Sequence, residues 1–493
     1  MRIGFDNQKY VTIQAERIRE RVASFGGKLY LEFGGKLFDD YHAARVLPGF
    51  VPDAKLSVLA ELASDAEIII AINANDIEGG KRRSDIGITY DEDALRLMDI
   101  YHQMGFVCNN VVITHFTGQP HALTYQRRLE AMGVHVARHY LIEGYPSNIA
   151  HIVSDEGFGK NEFVQTERPI VVVTAPGPGS GKLATCLSQI YHEWRRGVQA
   201  GYAKYETFPV WNLPLKHPVN IAYEAATADL EDRNVIDPFH LDAYGEATVN
   251  YNRDVETFPV LKAMMEKIMG QSPYQSPTDM GVNMVGFCIS DDDVCSEAAR
   301  HEVVRRYFAT YEQIRRTGAG RTALSKIELL MGELGVDVDY DPAHQAALAR
   351  EADAGVTAGA MTLEDGAVLT GKRSDLLEPP ASLLLNALKH VAGVDDDTYV
   401  VSDEALEPIC ALKRDHLGSP NPHLHAGEML IALSISSVTN PQAAQAIAAG
   451  DKLRGTTAYF SAIISPEDED TYRKIGINVC CEPKFERRGR YHA

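Results

Sequence analysis

The chain has 493 residues, 45% of them apolar and 24% charged, which is material for more than one core and roughly two to four domains. Its formal net charge of −20 argues against a general nucleic-acid-binding role, because a bare phosphate backbone calls for a basic surface. Residues 1–6 lack the apolar region of a secretory signal, and no stretch reaches about 18 uninterrupted apolar residues, so the expectation is a cytoplasmic protein with no membrane partner.

In chain order, residues 8–24 read as a charged amphipathic helix ending at Gly26-Gly27. Residues 28–33 alternate and meet Gly34-Gly35, which suggests a hairpin. Residues 67–73 (EIIIAIN) and 111–115 are buried strands, with helices expected over 93–104 and 122–132. Residues 134–142 are strand-like. Residues 169–174 (PIVVVT) form the clearest buried strand, and 182–195 the helix after it. Alternating strands and helices imply a Rossmann-like α/β domain with a mostly parallel sheet over 1–250. Residues 260–269, 297–316, 323–334 and 342–353 all read as helices, giving a helical region over 251–353. Small residues at 354–360 suggest a linker. A smaller C-terminal α/β domain then fills 354–493, with helices over 381–391, 405–417 and 428–437 and strands over 456–464 and 477–481.

Chemistry concentrates on Gly177-Pro178-Gly179-Ser180-Gly181-Lys182. A phosphate needs converging backbone N–H groups and a nearby positive charge. A glycine loop between a buried strand and a helix N-terminus supplies the amides, and Lys182 supplies the charge. The loop breaks both common phosphate signatures. For Gly-x4-Gly-Lys-[Ser/Thr], Pro176 replaces the first glycine and Leu183 the magnesium-binding hydroxyl, with Thr185 two positions late. For Gly-x-Gly-x-x-Gly, Lys182 falls on the third glycine. The expected cofactor-binding set is Gly177, Gly179, Ser180, Gly181, Lys182, Thr185, Lys160 and Asn73, with Lys182, His115 and Asp76 as the catalytic groups. Lys160 closes a second glycine-lysine loop. Asn73, Asp76, Thr114, His115, Thr117, Glu143 and Tyr145 follow buried strands, where open α/β sheets bind ligands.

Other features read more plainly. Thr370-Gly371-Lys372-Arg373-Ser374 is a third glycine-lysine loop. The irregular stretch 203–218 carries Lys204, Glu206, Trp211, Lys216 and His217, and Arg253 is a further phosphate contact to consider. His423-Leu424-His425 with Glu428 reads as a helix start rather than a zinc site, and no metal is expected. The seven cysteines lack Cys-x-x-Cys spacing and read as reduced structural thiols.

The stretches KLYLEFGGKLFDDYHAARVLPGF, AINANDIE, IVSDEGFGKN, VVVTAPGPGSGKLATCLSQ, TFPVWNLPLKHPVN, SPTDMGVNMVGFCI and EMLIALSIS resemble a bacterial family, domain of unknown function 1846 (UPF0371). The resemblance runs along nearly the whole chain. It implies a cytosolic α/β protein with a distinct C-terminal domain and carries over no catalytic residues. The residues therefore bear the functional reading. The leading one is an enzyme binding a nucleotide or phosphorylated small molecule, performing phosphoryl transfer or ligation, with magnesium doubtful. The alternatives are a Rossmann-like enzyme acting on a phosphorylated metabolite without nucleotide hydrolysis, and a non-catalytic ligand-binding protein. Large size and the helical insert suggest a homo-oligomer.

Overall fold

The computed structural model describes residues 2–34, 37–38, 40–83, 87–419 and 422–486. The chain divides into two compact units. One comprises residues 3–224 and 232–295, the other residues 225–231 and 296–493 with the N-terminal two. The helical stretch expected from 251 onward is shared between them.

The first unit is built on a seven-stranded sheet. Its strands are β1 (Leu29–Phe33), β2 (Ala66–Asn73), β3 (Val107–Phe116), β4 (His135–Tyr140), β5 (Ile170–Thr174), β6 (Gly201–Tyr205) and, after the small antiparallel ladder β7 (Asn234–Ile236) with β8 (Val249–Tyr251), β9 (Gly281–Val282). The order is β4-β3-β2-β5-β1-β6-β9, with every pair parallel. Parallel strands are covered on both faces, which is why β5 is buried throughout and β2 nearly so. The chain leaves β2 toward β3 on one side and leaves β5 toward β6 on the other. Its connections therefore diverge between β2 and β5, and a crevice forms at the carboxyl ends of those strands.

The expected hairpin at 28–33 is not formed. Residues Leu29–Phe33 are an interior parallel strand between β5 and β6. The alternation there reflects Glu32 at the carboxyl end of an otherwise buried strand, not a half-exposed ribbon. Gly35 lies outside the described residues.

The second unit carries a mixed sheet of β10 (Ala358–Thr362), β11 (Val368–Lys372), β12 (Thr457–Phe460) and β13 (Asn478–Cys481), in the order β11-β10-β12-β13. The expected linker at 354–360 is corrected: from Ala358 it is a central strand, antiparallel to both neighbours. Its residues are small because space is short. A Cβ on Gly359 would stand 2.5 Å from the Phe460 ring. All seven cysteines are buried free thiols. No helix among the described residues is long and apolar enough to cross a membrane.

Candidate functional site

The glycine loop leaves β5 at Thr174 and enters the helix Lys182–Arg195, whose N-cap is Gly181. Its glycines answer two different constraints. Gly179 and Gly181 adopt φ of 77° and 81°, the left-handed region that side chains resist. Gly177 is forced by contact, because a Cβ there would stand 2.2 Å from the Tyr90 hydroxyl. The loop is tied through its carbonyls. Thr114 Oγ1 donates to Ser180 O at 2.8 Å, Asn73 Nδ2 to Gly179 O at 3.2 Å, and Ser180 Oγ to Gly177 O at 2.8 Å. Its amides are left over. Among the described residues, no acceptor pairs with the N–H groups of Gly179, Ser180, Gly181, Lys182, Leu183 or Ala184. The first helical bond is made by Thr185 N to Gly181 O. A helix start always leaves amides over. Here the glycine loop extends the run, and Lys182 adds a charge that no carboxylate among the described residues pairs with.

Beside the loop lies a cleft of about 180 Å³, lined by Thr114 and His115 at the end of β3, Tyr140 at the end of β4 with Leu141 and Ile142 after it, Tyr145, Asn161, and Gly181, Leu183 and Ala184 of the loop and helix. Its walls are largely apolar and aromatic, with a few polar groups converging, the composition of a small-molecule site. His115 holds φ of 52°, uncommon for a side-chain-bearing residue, where the β3–β4 register shifts. Gln119 Nε2 secures that backbone by donating to His115 O and to Asn75 Oδ1, both at 3.0 Å. Asn161 is oriented by the Tyr140 amide at 2.8 Å and by Ser188 at 3.1 Å. Lys160 lies 5.8 Å from the Tyr140 ring centroid and pairs with no carboxylate among the described residues. His139 also reaches the cleft, but burial pushes it down to about 3, so it stays neutral.

Gly181→Ala is expected to cost about 1–2 kcal/mol, the ordinary penalty for a left-handed alanine. The added Cβ would also sit 3.1 Å from the Thr114 side chain, pressing on the residue that holds Ser180. Denaturant unfolding of the variant against the wild type measures the loss.

A second polar group stands further along the same carboxyl edge. In register, Glu32 of β1 aligns with Lys204 of β6 and with Val173 of β5, which aligns with Ile69 of β2. Two-residue steps along β2 lead to Asn73, which aligns with Thr114. Glu32, Lys204, Asn73 and Thr114 therefore share one face of the sheet. Lys204 Nζ forms an ion pair with Glu206 Oε1 at 2.8 Å and donates to the Asp254 carboxylate, and it lies 4.8 Å from the Tyr251 ring centroid. Tyr202 donates its hydroxyl to Glu32 at 2.7 Å. Burial pushes Glu206 up to about 7, with Lys204 opposing. For Lys204, burial disfavours the charge, but Asp254 and Glu206 outweigh it and hold the ammonium well above its ordinary value. Glu32 also acts at a distance: after burial, its charge helps raise Tyr145 on the cleft wall and Cys186 in the loop helix.

The sequence matches two family models end to end: domain of unknown function DUF1846, N-terminal, over residues 3–335, and its C-terminal counterpart over residues 339–491. It is 54% identical over 490 residues to UPF0371 protein cu0538 of Corynebacterium urealyticum, covering 99% of each chain. It is 53% identical over 490 residues to UPF0371 protein DIP2346 of Corynebacterium diphtheriae, again 99% of each, and 52% identical over 483 residues to a UPF0371 protein of Streptococcus thermophilus, 98% of each. The chain belongs to the UPF0371 family.

In this UPF0371 chain the expected site residues divide. Gly177, Gly179, Ser180, Gly181 and Lys182 form the loop, Thr114 and His115 line the cleft beside it, and Lys160 lies over the ring of Tyr140. Asn73 tethers the loop and also caps the helix Ala74–Glu78. Asp76 is paired with Lys81 at 3.2 Å. Thr185 is fully enclosed, its hydroxyl without a hydrogen-bond partner among the described residues, and it does not line the cleft. Arg253 is engaged with Asp232 at 2.7 Å. Trp211 packs where a Cβ on Gly281 would otherwise sit, which is a packing role. In the other unit, Arg373 pairs with Glu378 and Glu486, and His425 opens the helix Ala426–Ser436 in a capping box with Glu428. No group of metal-ligating side chains occurs among the described residues. The assembly that sequence reasoning missed is Glu32 with Lys204, Glu206 and Asp254. Lys204 and Glu206 were singled out in the stretch 203–218, and the further signal was Glu32, a charge closing an apolar strand.

Proposed function

We propose that this protein binds a phosphate-bearing small molecule at the carboxyl edge of its parallel sheet. The phosphoryl group is held by the amides of Gly179–Ala184 and by Lys182, and the rest of the ligand lies in the cleft of Thr114, His115, Tyr140 and Tyr145. The observation that carries the reading is the run of backbone amides that find no acceptor among the described residues, on a loop whose carbonyls are tied down by Asn73 and Thr114. Preorganised amides at a helix N-terminus, beside a lysine with no carboxylate partner among the described residues, favour a dianion. His115, strained and facing the cleft, is the acid–base group best placed to reach the ligand.

The favoured ligand is a phosphorylated metabolite rather than a magnesium nucleotide. Leu183 occupies the position of the metal-binding hydroxyl and lines the cleft, and Asp76 is committed to Lys81. Isothermal titration with inorganic phosphate, sugar phosphates and ATP, each with and without magnesium, tests both statements. The expected result is binding of a phosphate-bearing ligand whose affinity is unchanged by magnesium and reduced by Lys182→Ala. Equal affinity in wild type and variant overturns the site. Strict magnesium dependence overturns the choice of ligand.

A further inference from the structure

The cleft beside the loop is free of acid in an acidic chain. The formal net charge is −20, yet no residue lining the cleft carries a carboxylate. Two lysines flank it, and both are free. Among the described residues, only Lys160, Lys182 and Lys372 have an ammonium with neither an ion pair nor a hydrogen bond, and Lys372 belongs to the other unit. Lys182 sits between Gly181 and Leu183, which line the cleft. Lys160 precedes Asn161, which lines it, and its Nζ lies 5.8 Å from the ring centroid of Tyr140, which lines it too.

The backbone under Lys160 is well fixed. Lys160 closes the short turn Phe158–Lys160, its N–H on Gly157 O at 3.1 Å. From the loop helix, Ser188 Oγ donates to Phe158 O at 3.4 Å and accepts from Asn161 Nδ2 at 3.1 Å. The Tyr140 amide donates to Asn161 Oδ1 at 2.8 Å. Two acids close in sequence are engaged elsewhere: Asp155 with Tyr191 and Arg195, and Glu162 with the amide of Arg138. The turn, Tyr140 and the loop helix are therefore tied together, with Lys160 at one flank of the cleft and Lys182 at another.

We propose that the ligand of this cleft carries two anionic groups: a phosphoryl group on the 177–182 loop, and a second anion, a carboxylate or a further phosphate, held by Lys160. The second contact rests on the phosphate reading and narrows the ligand to a small phosphorylated acid or a bisphosphate. Its body is mainly apolar, to match Leu141, Ile142, Tyr145 and Leu183 on the wall. An ammonium is a compact charge on a flexible stem, so it takes either anion without the fork geometry that arginine imposes. Once the phosphoryl group is seated, the second anion meets Lys160 at high effective concentration, provided the body of the ligand spans the distance. Lys160 thus sets specificity for the second group, while Lys182 and the loop amides hold the first.

Titration calorimetry of the full chain with matched probes tests this. Alkylphosphonates of increasing chain length carry one anion. Phosphonoalkanoates and alkylene bisphosphonates of the same lengths carry a second, as carboxylate or as phosphonate. At the length that spans the cleft, the second anion is expected to raise affinity about tenfold over the matched alkylphosphonate, as one added charged hydrogen bond does. The arm with the larger gain assigns the second group. Lys160→Met is expected to remove the gain and to leave alkylphosphonate binding and thermal unfolding unchanged, whereas Lys182→Ala weakens every probe. No gain at any length, a gain that survives in Lys160→Met, or equal weakening of all probes by Lys160→Met overturns the proposal. In each of those cases alkylphosphonate binding that depends on Lys182 leaves the phosphate reading standing. If no probe binds, or Lys182→Ala alters none, the phosphate reading fails and the second contact with it.

Discussion

Lys182→Ala is expected to weaken binding of a phosphate-bearing ligand by about 10- to 100-fold while leaving the fold intact, since a hydrogen bond to a charged group contributes about 1.5–3 kcal/mol. Lys182 opens a 14-residue helix, and its ammonium pairs with no carboxylate among the described residues, so its removal orphans no buried charge there. The backbone amides survive the substitution. Residual binding is therefore expected, and it should fall with added salt more gently than in the wild type because one positive charge has gone. Calorimetric titration at two salt concentrations, with thermal unfolding as the control for folding, measures both quantities.

Lys204→Met is expected to act in the opposite manner, on stability first. Its ammonium is the only cation bonded to both Glu206 and Asp254 among the described residues. Methionine fills similar space but leaves those carboxylates uncompensated in a mostly buried setting, a loss of about 3–5 kcal/mol. The deficit should depend on pH. In the wild type Glu206 is raised from 4.5 to about 7, so the folded chain binds more protons than the unfolded chain between those values. Its contribution to stability is therefore fully present below about pH 4.5 and is lost as pH rises through 7. Without Lys204 the proton affinity of the carboxyls rises further, and the variant should recover part of its deficit on acidification. Urea unfolding of both proteins across pH 5 to 8 checks this, and a deficit independent of pH would argue against a charge origin.

The legible parts of the site are those that are local in sequence. Four successive apolar residues, a glycine loop and an amphipathic stretch sit next to one another. The pattern therefore placed the helix at Lys182–Arg195 and β5 within one residue of where they lie. The same locality identified β2, β3 and β4 and the polar residues that end them. Local pattern misled where burial has a non-local cause. Alternation at 28–33 looked like a hairpin because sequence does not disclose that β5 and β6 flank that strand. The small residues near 358 looked like a linker because nothing adjacent reveals the Phe460 ring against Gly359.

What the sequence determined by itself is the α/β class, the family, and the position of the glycine-lysine loop between a buried strand and a helix, with Leu183 where a magnesium-binding pattern carries a hydroxyl. What tertiary structure decided is which side chains meet that loop. Insertion of β5 between β2 and β1 brings the loop over Asn73 and Thr114 and places His115 and Tyr140 beside it. It also puts Glu32 one strand away, aligned with Lys204, while Asp254 arrives from a helix some fifty residues further along the chain. Strand order is set by packing of covered faces and by the handedness of long crossovers, a sum over contacts far apart in sequence, so no short stretch of residues carries it.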